Sequence, residues 1–101
     1  DYPAMLQFWD KNGNKIRDIK EGKAEYRNIK WSSDGKVLAT ASDKLRLWSL
    51  DGELLSQGDS EDLLWGVDWS PDGEYIVTSS ERGSIIIWDK ILSKSVIYST
   101  N

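Results

Sequence analysis

Val67-Asp68-Trp69-Ser70-Pro71-Asp72-Gly73 leads into Glu74-Tyr75-Ile76-Val77-Thr78-Ser79-Ser80, crosses Glu81-Arg82-Gly83, and ends in Ser84-Ile85-Ile86-Ile87-Trp88-Asp89. Alternating and β-branched residues between Asp-Gly and Arg-Gly punctuation read as strand, turn, strand, turn, strand. The rest of the chain is a near-copy of this stretch. Trp31-Ser32-Ser33-Asp34-Gly35 precedes Trp69-Ser70-Pro71-Asp72-Gly73 by 38 positions, and Thr40-Ala41-Ser42 precedes Thr78-Ser79-Ser80 by the same 38. Trp48 precedes Trp88 by 40, and Leu6-Gln7-Phe8-Trp9-Asp10 is an earlier partial copy, with Trp9 39 before Trp48. A period near 40, built from short β segments without a helical stretch, predicts a β-propeller arrangement.

Ten strands are expected. They lie at 4–11, 14–20, 24–31, 37–41, 45–48, 53–56, 63–69, 74–80, 84–89 and 95–99, with residues 57–62 as a polar connection. Asn12-Gly13, Asp34-Gly35 and Asp51-Gly52 are hairpin signals, because these residues tolerate positive φ. Tyr26 to Ile29 and Leu64 to Val67 are three-residue gaps in otherwise alternating strands, which predicts a bulge in each. Ile85-Ile86-Ile87-Trp88 is apolar on both faces, as a strand between stacked sheets must be.

The chain has 101 residues, 39% hydrophobic and 30% charged, which is the size and balance of one small folded domain. Six Trp is a high count for this length. Trp9, Trp31, Trp48, Trp69 and Trp88 fall at repeated positions and are read as core, where large rings bury most area. The net charge of −4 argues against nucleic-acid and anionic-membrane binding, which need a basic field. The charge is uneven. Residues 1–46 sum to +3, the segment from Leu47 to Glu81 to −9, and residues 82–101 to +2. An acidic rim beside a basic one can steer a partner or a second copy.

Catalysis is not expected. There is no His and no Cys, the commonest base and the most reactive nucleophile. Glu61-Asp62 reads as a solvated loop pair. Asp10-Lys11-Asn12-Gly13-Asn14 has its Gly at the fourth position, not the sixth that a calcium loop requires, so a hairpin turn is the better reading. No metal and no cofactor is expected. The lack of Cys fits an intracellular, cytoplasmic setting, and no apolar run approaches the roughly 18 residues of a membrane span.

These residues together resemble the WD40 repeat family, most closely from Val67 to Asp89 and nearly as well from Ile29 to Trp48. Trp9-Asp10 fits the family's strand-ending dipeptide, and Trp48-Ser49 is a softened form of it. The resemblance implies an all-β propeller segment of four-stranded antiparallel blades, an incomplete ring of about two and a half blades. It is one segment over 1–101, with an outer half-blade at 4–20 and blades at 24–56 and 62–99. It implies a protein-interaction scaffold whose partners dock around the central channel. The family's buried His is absent here, so Ser42 with Trp48 and Ser80 with Trp88 are the expected remnants of its indole-binding network. By motif position, Arg27, Trp65, Asp43 and Glu81 are the candidate protein-binding residues. Trp65 stands outside the strand's apolar pattern, where it is either a docking hot spot or a cover for a neighbouring blade. With acids Asp43 and Glu81 near it, a basic or Arg-bearing peptide is the partner that fits. The alternatives are a unit that closes its ring by homo-oligomerisation, a piece of a longer propeller, and the regulatory module of a larger enzyme or sensor.

Overall fold

A computed structural model describes residues 6–19, 28–60 and 63–89, and the backbone of 94–99. The strands are β1 (Leu6–Trp9), β2 (Lys15–Ile19), β3 (Asn28–Trp31), β4 (Leu38–Ala41), β5 (Lys44–Trp48), β6 (Leu54–Asp59), β7 (Leu64–Trp69), β8 (Tyr75–Ser80), β9 (Ser84–Asp89) and β10 (Lys94–Ser99). They form three antiparallel sheets in the orders β1-β2, β3-β4-β5-β6 and β7-β8-β9-β10. No helix occurs among the described residues. The largest departure from the expected boundaries among the described residues is that β6 runs to Asp59, through residues read as connection. Gln57 and Gly58 extend the ladder because Arg46 and Leu45 of β5 pair with them.

One turn design recurs. Ser32 Oγ donates to Asp34 Oδ1 at 2.6 Å and accepts from Val37 N at 3.1 Å, while Lys36 N donates to the same Asp34 oxygen at 3.0 Å. Ser70 and Asp72 repeat this with Tyr75 N and Glu74 N at 3.0 Å each. Ser49 and Asp51 make the same side-chain pair, with Glu53 N on Ser49 Oγ at 3.0 Å. The Gly that follows each Asp has φ between 73° and 86°, the left-handed region that a Cβ disfavours. These side chains satisfy turn donors that the ladder cannot reach.

The core lies between the second and third sheets. Ala39 and Ala41 of β4, with Leu45 and Leu47 of β5, pack against Leu64, Val67, Ile76, Ile86 and Trp88 of the third sheet. The small Ala pair lets the sheets approach. Trp88 is fully buried, and its Nε1 donates to Thr78 Oγ1 at 2.9 Å. Trp48 faces the other way, 6.0 Å from the Phe8 ring, and its Nε1 donates to Thr40 Oγ1 at 2.9 Å. The indole partner is therefore Thr on the second strand of each sheet, not Ser42 or Ser80. Thr40 pairs with Arg46 and Thr78 with Ile86, each two residues before the Trp, so threonine and indole share one face.

The expectation that five repeated Trp are core holds for Trp48 and Trp88 and fails for Trp9 and Trp31, which are 55% and 52% exposed. Trp69 is half-buried against the main core and donates its Nε1 to Lys30 O at 3.1 Å. Trp31 has the same place in its own sheet, paired with Leu38 as Trp69 is with Ile76. The difference is the neighbour. The sheet beside Trp31 has two strands among the described residues, and its core with Leu38 and Trp48 leaves Ile29 and Trp31 of β3 in solvent. Trp9 lies in that two-stranded sheet, where among the described residues there is no counterpart of the threonine-bearing strand that holds Trp48 and Trp88. Ile85 is also exposed, because the outer face of the third sheet is open.

Candidate protein-docking site

The site begins with a bulge. Leu64 pairs with Ser80 and Gly66 with Ser79, so Trp65 is an extra residue in β7. The three-residue gap from Leu64 to Val67 is this bulge. It keeps both Leu64 and Val67 on the buried face, at 0% and 4% exposure, and leaves Trp65 out of the alternation at 49%. A bulge interrupts the ladder at one residue and re-aims its side chain. The earlier gap, Tyr26 to Ile29, begins outside the described residues, and so does Arg27.

Two backbone hydrogen bonds gather the remaining candidates. Leu64 N donates to Ser42 O at 2.8 Å, tying β7 to the end of β4 in the neighbouring sheet. Glu81 N donates to Leu63 O at 2.8 Å. Asp43 follows Ser42, Trp65 follows Leu64, and Glu81 opens the β8–β9 turn, so the three share one end of the two sheets. That turn is closed by Gly83 N on Ser80 O at 3.1 Å and Ser84 N on Ser80 Oγ at 3.0 Å. Gly66 stands beside the bulge, where a Cβ would lie 2.9 Å from Ser79 Oγ and would turn that hydroxyl aside.

The two acids differ. Asp43 Oδ1 accepts from Ser42 Oγ at 3.0 Å and from Arg46 Nη1 at 2.9 Å, and Arg46 Nη1 also donates to Ser42 Oγ at 3.0 Å. Arg46 is 3% exposed. A buried guanidinium needs a counter-charge, and Asp43 supplies it. Glu81 is exposed, and among the described residues its carboxylate makes no ion pair. Sequence reading missed Arg46. The signal was present: a charge stands where the second repeat has Ile86, inside Leu45-Arg46-Leu47-Trp48.

At the opposite end, the Ser-Asp turns border a groove of about 320 Å³ walled by Val37, Leu47, Leu55 and Trp69. Its acids, Asp34 and Asp72, are turned onto their own serines and turn amides. No group of three or more metal-ligating side chains occurs among the described residues. No helix among them is long and apolar enough to cross a membrane.

Stacked four-stranded sheets, each with a Trp–Thr pair and a Ser-x-Asp-Gly turn, define a segment of a β-propeller whose ring is not closed. The WD domain, G-beta repeat pattern matches residues 13–49 and 52–89, and the chain belongs to the WD40 repeat family. Protein HIRA of Dictyostelium discoideum is 41% identical over 78 residues, covering 61% of this chain and 7% of that protein. Elongator complex protein 2 of Drosophila melanogaster is 46% identical over 28 residues, 28% of this chain and 4% of that protein. The chain thus spans less than a tenth of either relative. The C-terminal WD40 domain of Sif2 superposes with a TM-score of 0.78 at 23% identity, over 87% of this chain and 27% of that one. WD40 domains generally act as non-catalytic scaffolds for protein interactions.

Proposed function

We propose that this chain docks a protein or peptide segment at the sheet end where Trp65, Asp43 and Glu81 gather, with Arg27 as the fourth member of the site. In this reading residues 4–20 act as an outer half-blade, and 24–56 and 62–99 as blades. The observation that carries it is the half-exposed indole of Trp65, held on a bulge between two pinned backbone segments. A large ring presented on rigid backbone loses little entropy on binding, which is what interface hot spots share. Carboxylates close to an indole suit a basic, Arg-bearing segment, which gains a cation–π contact and a charge-assisted hydrogen bond. The acidic run from Leu47 to Glu81 would draw such a segment in. Elongator complex protein 2 is by its name part of a complex, in keeping with a domain that works by contact. An intracellular setting goes with this reading.

The test is titration of the full chain with ten-residue peptides that carry Arg in a Gly/Ser background, against Arg-free controls. Trp65→Ala should weaken binding by about 1–3 kcal/mol with the circular-dichroism spectrum unchanged. A chain that binds neither peptide set, or a Trp65→Ala variant whose binding simply tracks its folded fraction, overturns the reading.

The open sheet faces favour a second reading. Tyr75, Val77 and Ile85 on one side and Ile29 and Trp31 on the other are exposed apolar side chains that a second copy or further blades would cover. A discrete closed oligomer in sedimentation supports self-assembly; a monomer removes it.

A further inference from the structure

We infer that the two loop acids do different work: buried Arg46 neutralises Asp43, so the charge offered to a basic partner comes from Glu81. This rests on the docking reading above and says which residue sets its preference. The repeat makes the comparison internal. Asp43 and Glu81 follow Ser42 and Ser80 at the ends of β4 and β8, 38 positions apart. In the first repeat, Arg46 Nη1 reaches both Ser42 Oγ and Asp43 Oδ1, at 3.0 and 2.9 Å, and the side chain of Asp43 is only 22% exposed. In the second repeat the position of Arg46 holds Ile86, packed in the core, and Ser80 Oγ accepts from Ser84 N instead.

Among the described residues no cation takes the place of Arg46 beside Glu81, and its side chain is exposed at the sheet end that carries the Trp65 bulge. The charge of Asp43 is already balanced by a buried guanidinium, and drawing the carboxylate away from it would strand that cation. Arg46 is a positioning residue: it holds the Asp43 loop and withdraws its charge.

The test uses the Arg-bearing peptide on the full chain at about 50 mM salt, where exposed pairs are screened less than at physiological ionic strength. Glu81→Gln should weaken binding about three- to fivefold. Asp43→Asn alone strands a buried cation and can unfold the chain, so it is made together with Arg46→Met; that pair should lose clearly less affinity than Glu81→Gln. Arg46→Met alone releases Asp43 and should tighten binding about threefold, a gain that a merely structural role would not give. Raising the salt should erase both the Glu81→Gln loss and the Arg46→Met gain. Equal losses from Glu81→Gln and the paired variant, or no gain from Arg46→Met in a folded chain, overturn this inference alone. A wild-type chain that binds no peptide overturns the docking reading and this inference with it.

Discussion

The ring of Trp88 lies on the bare backbone of Gly58. A Cβ at Gly58 would fall 3.0 Å from Trp88 Cε3 and nearer still to Cζ3. Gly58 pairs with Leu45 on β5, so it belongs to the face that meets the third sheet. A glycine inside a strand usually marks close approach of another group, and here the group is the largest buried side chain of the next sheet. Gly58→Ala should cost about 1–3 kcal/mol by overpacking, read as a lowered urea midpoint with an unchanged m-value.

Each buried indole depends on one threonine. Thr40→Val and Thr78→Val keep the shape and remove the acceptor for Trp48 and Trp88. Each should cost about 1–3 kcal/mol, the penalty of a buried donor left unmet. Exchange of the matching indole proton should accelerate. Ser42→Ala should leave the Trp48 proton protected; acceleration there would restore serine as the partner.

Trp31 and Trp69 hold equivalent positions and should not respond alike. Trp69→Ala removes a half-buried ring packed on the main core and should cost about 2–3 kcal/mol. Trp31→Ala removes a ring that is 52% exposed and should cost under about 1 kcal/mol. Equal losses in urea titrations would contradict the account of their neighbours.

Acid should loosen the turns. The Ser32 hydroxyl holds the Asp34 carboxyl below its ordinary value of 3.8, and the Ser49 hydroxyl does the same for Asp51. Asp10 is lowered chiefly by the Asn14 amide. A depressed carboxyl contributes stability that is fully present above its unfolded value and is lost as pH falls through the folded one. The urea midpoint should therefore be level near neutrality and fall below about pH 4. Asp34→Asn, which does not titrate, should fall less steeply over the same window.

The sheet order was legible because a 40-residue period, Asp-Gly turns and alternating apolar positions all point to the same strands. The bulge was legible from the distance between Leu64 and Val67. What escaped was three-dimensional. Thr40 and Ser42 both flank Ala41 on one strand, and only the pairing of Thr40 with Arg46, two residues before Trp48, shows which hydroxyl lies under the indole. Gly58 read as connection because its partner, Trp88, is thirty residues away. Repetition itself misled at Trp9 and Trp31: a repeated residue is buried only where a neighbouring strand covers it, and burial of a side chain is set by that neighbour and not by the repeat. At the candidate site, the shared end of Asp43, Trp65 and Glu81 follows from two long-range backbone bonds that no local pattern announces, and the Arg46 pairing from a single charge in an apolar strand.

The added residue at position 65 uncouples two demands on one strand. Leu64 and Val67 are buried where the sheets stack, while the bulge sets Trp65 between them half in solvent. One inserted position thus separates the side chain turned toward solvent from the two that hold the stack, so that exterior and interior can vary apart.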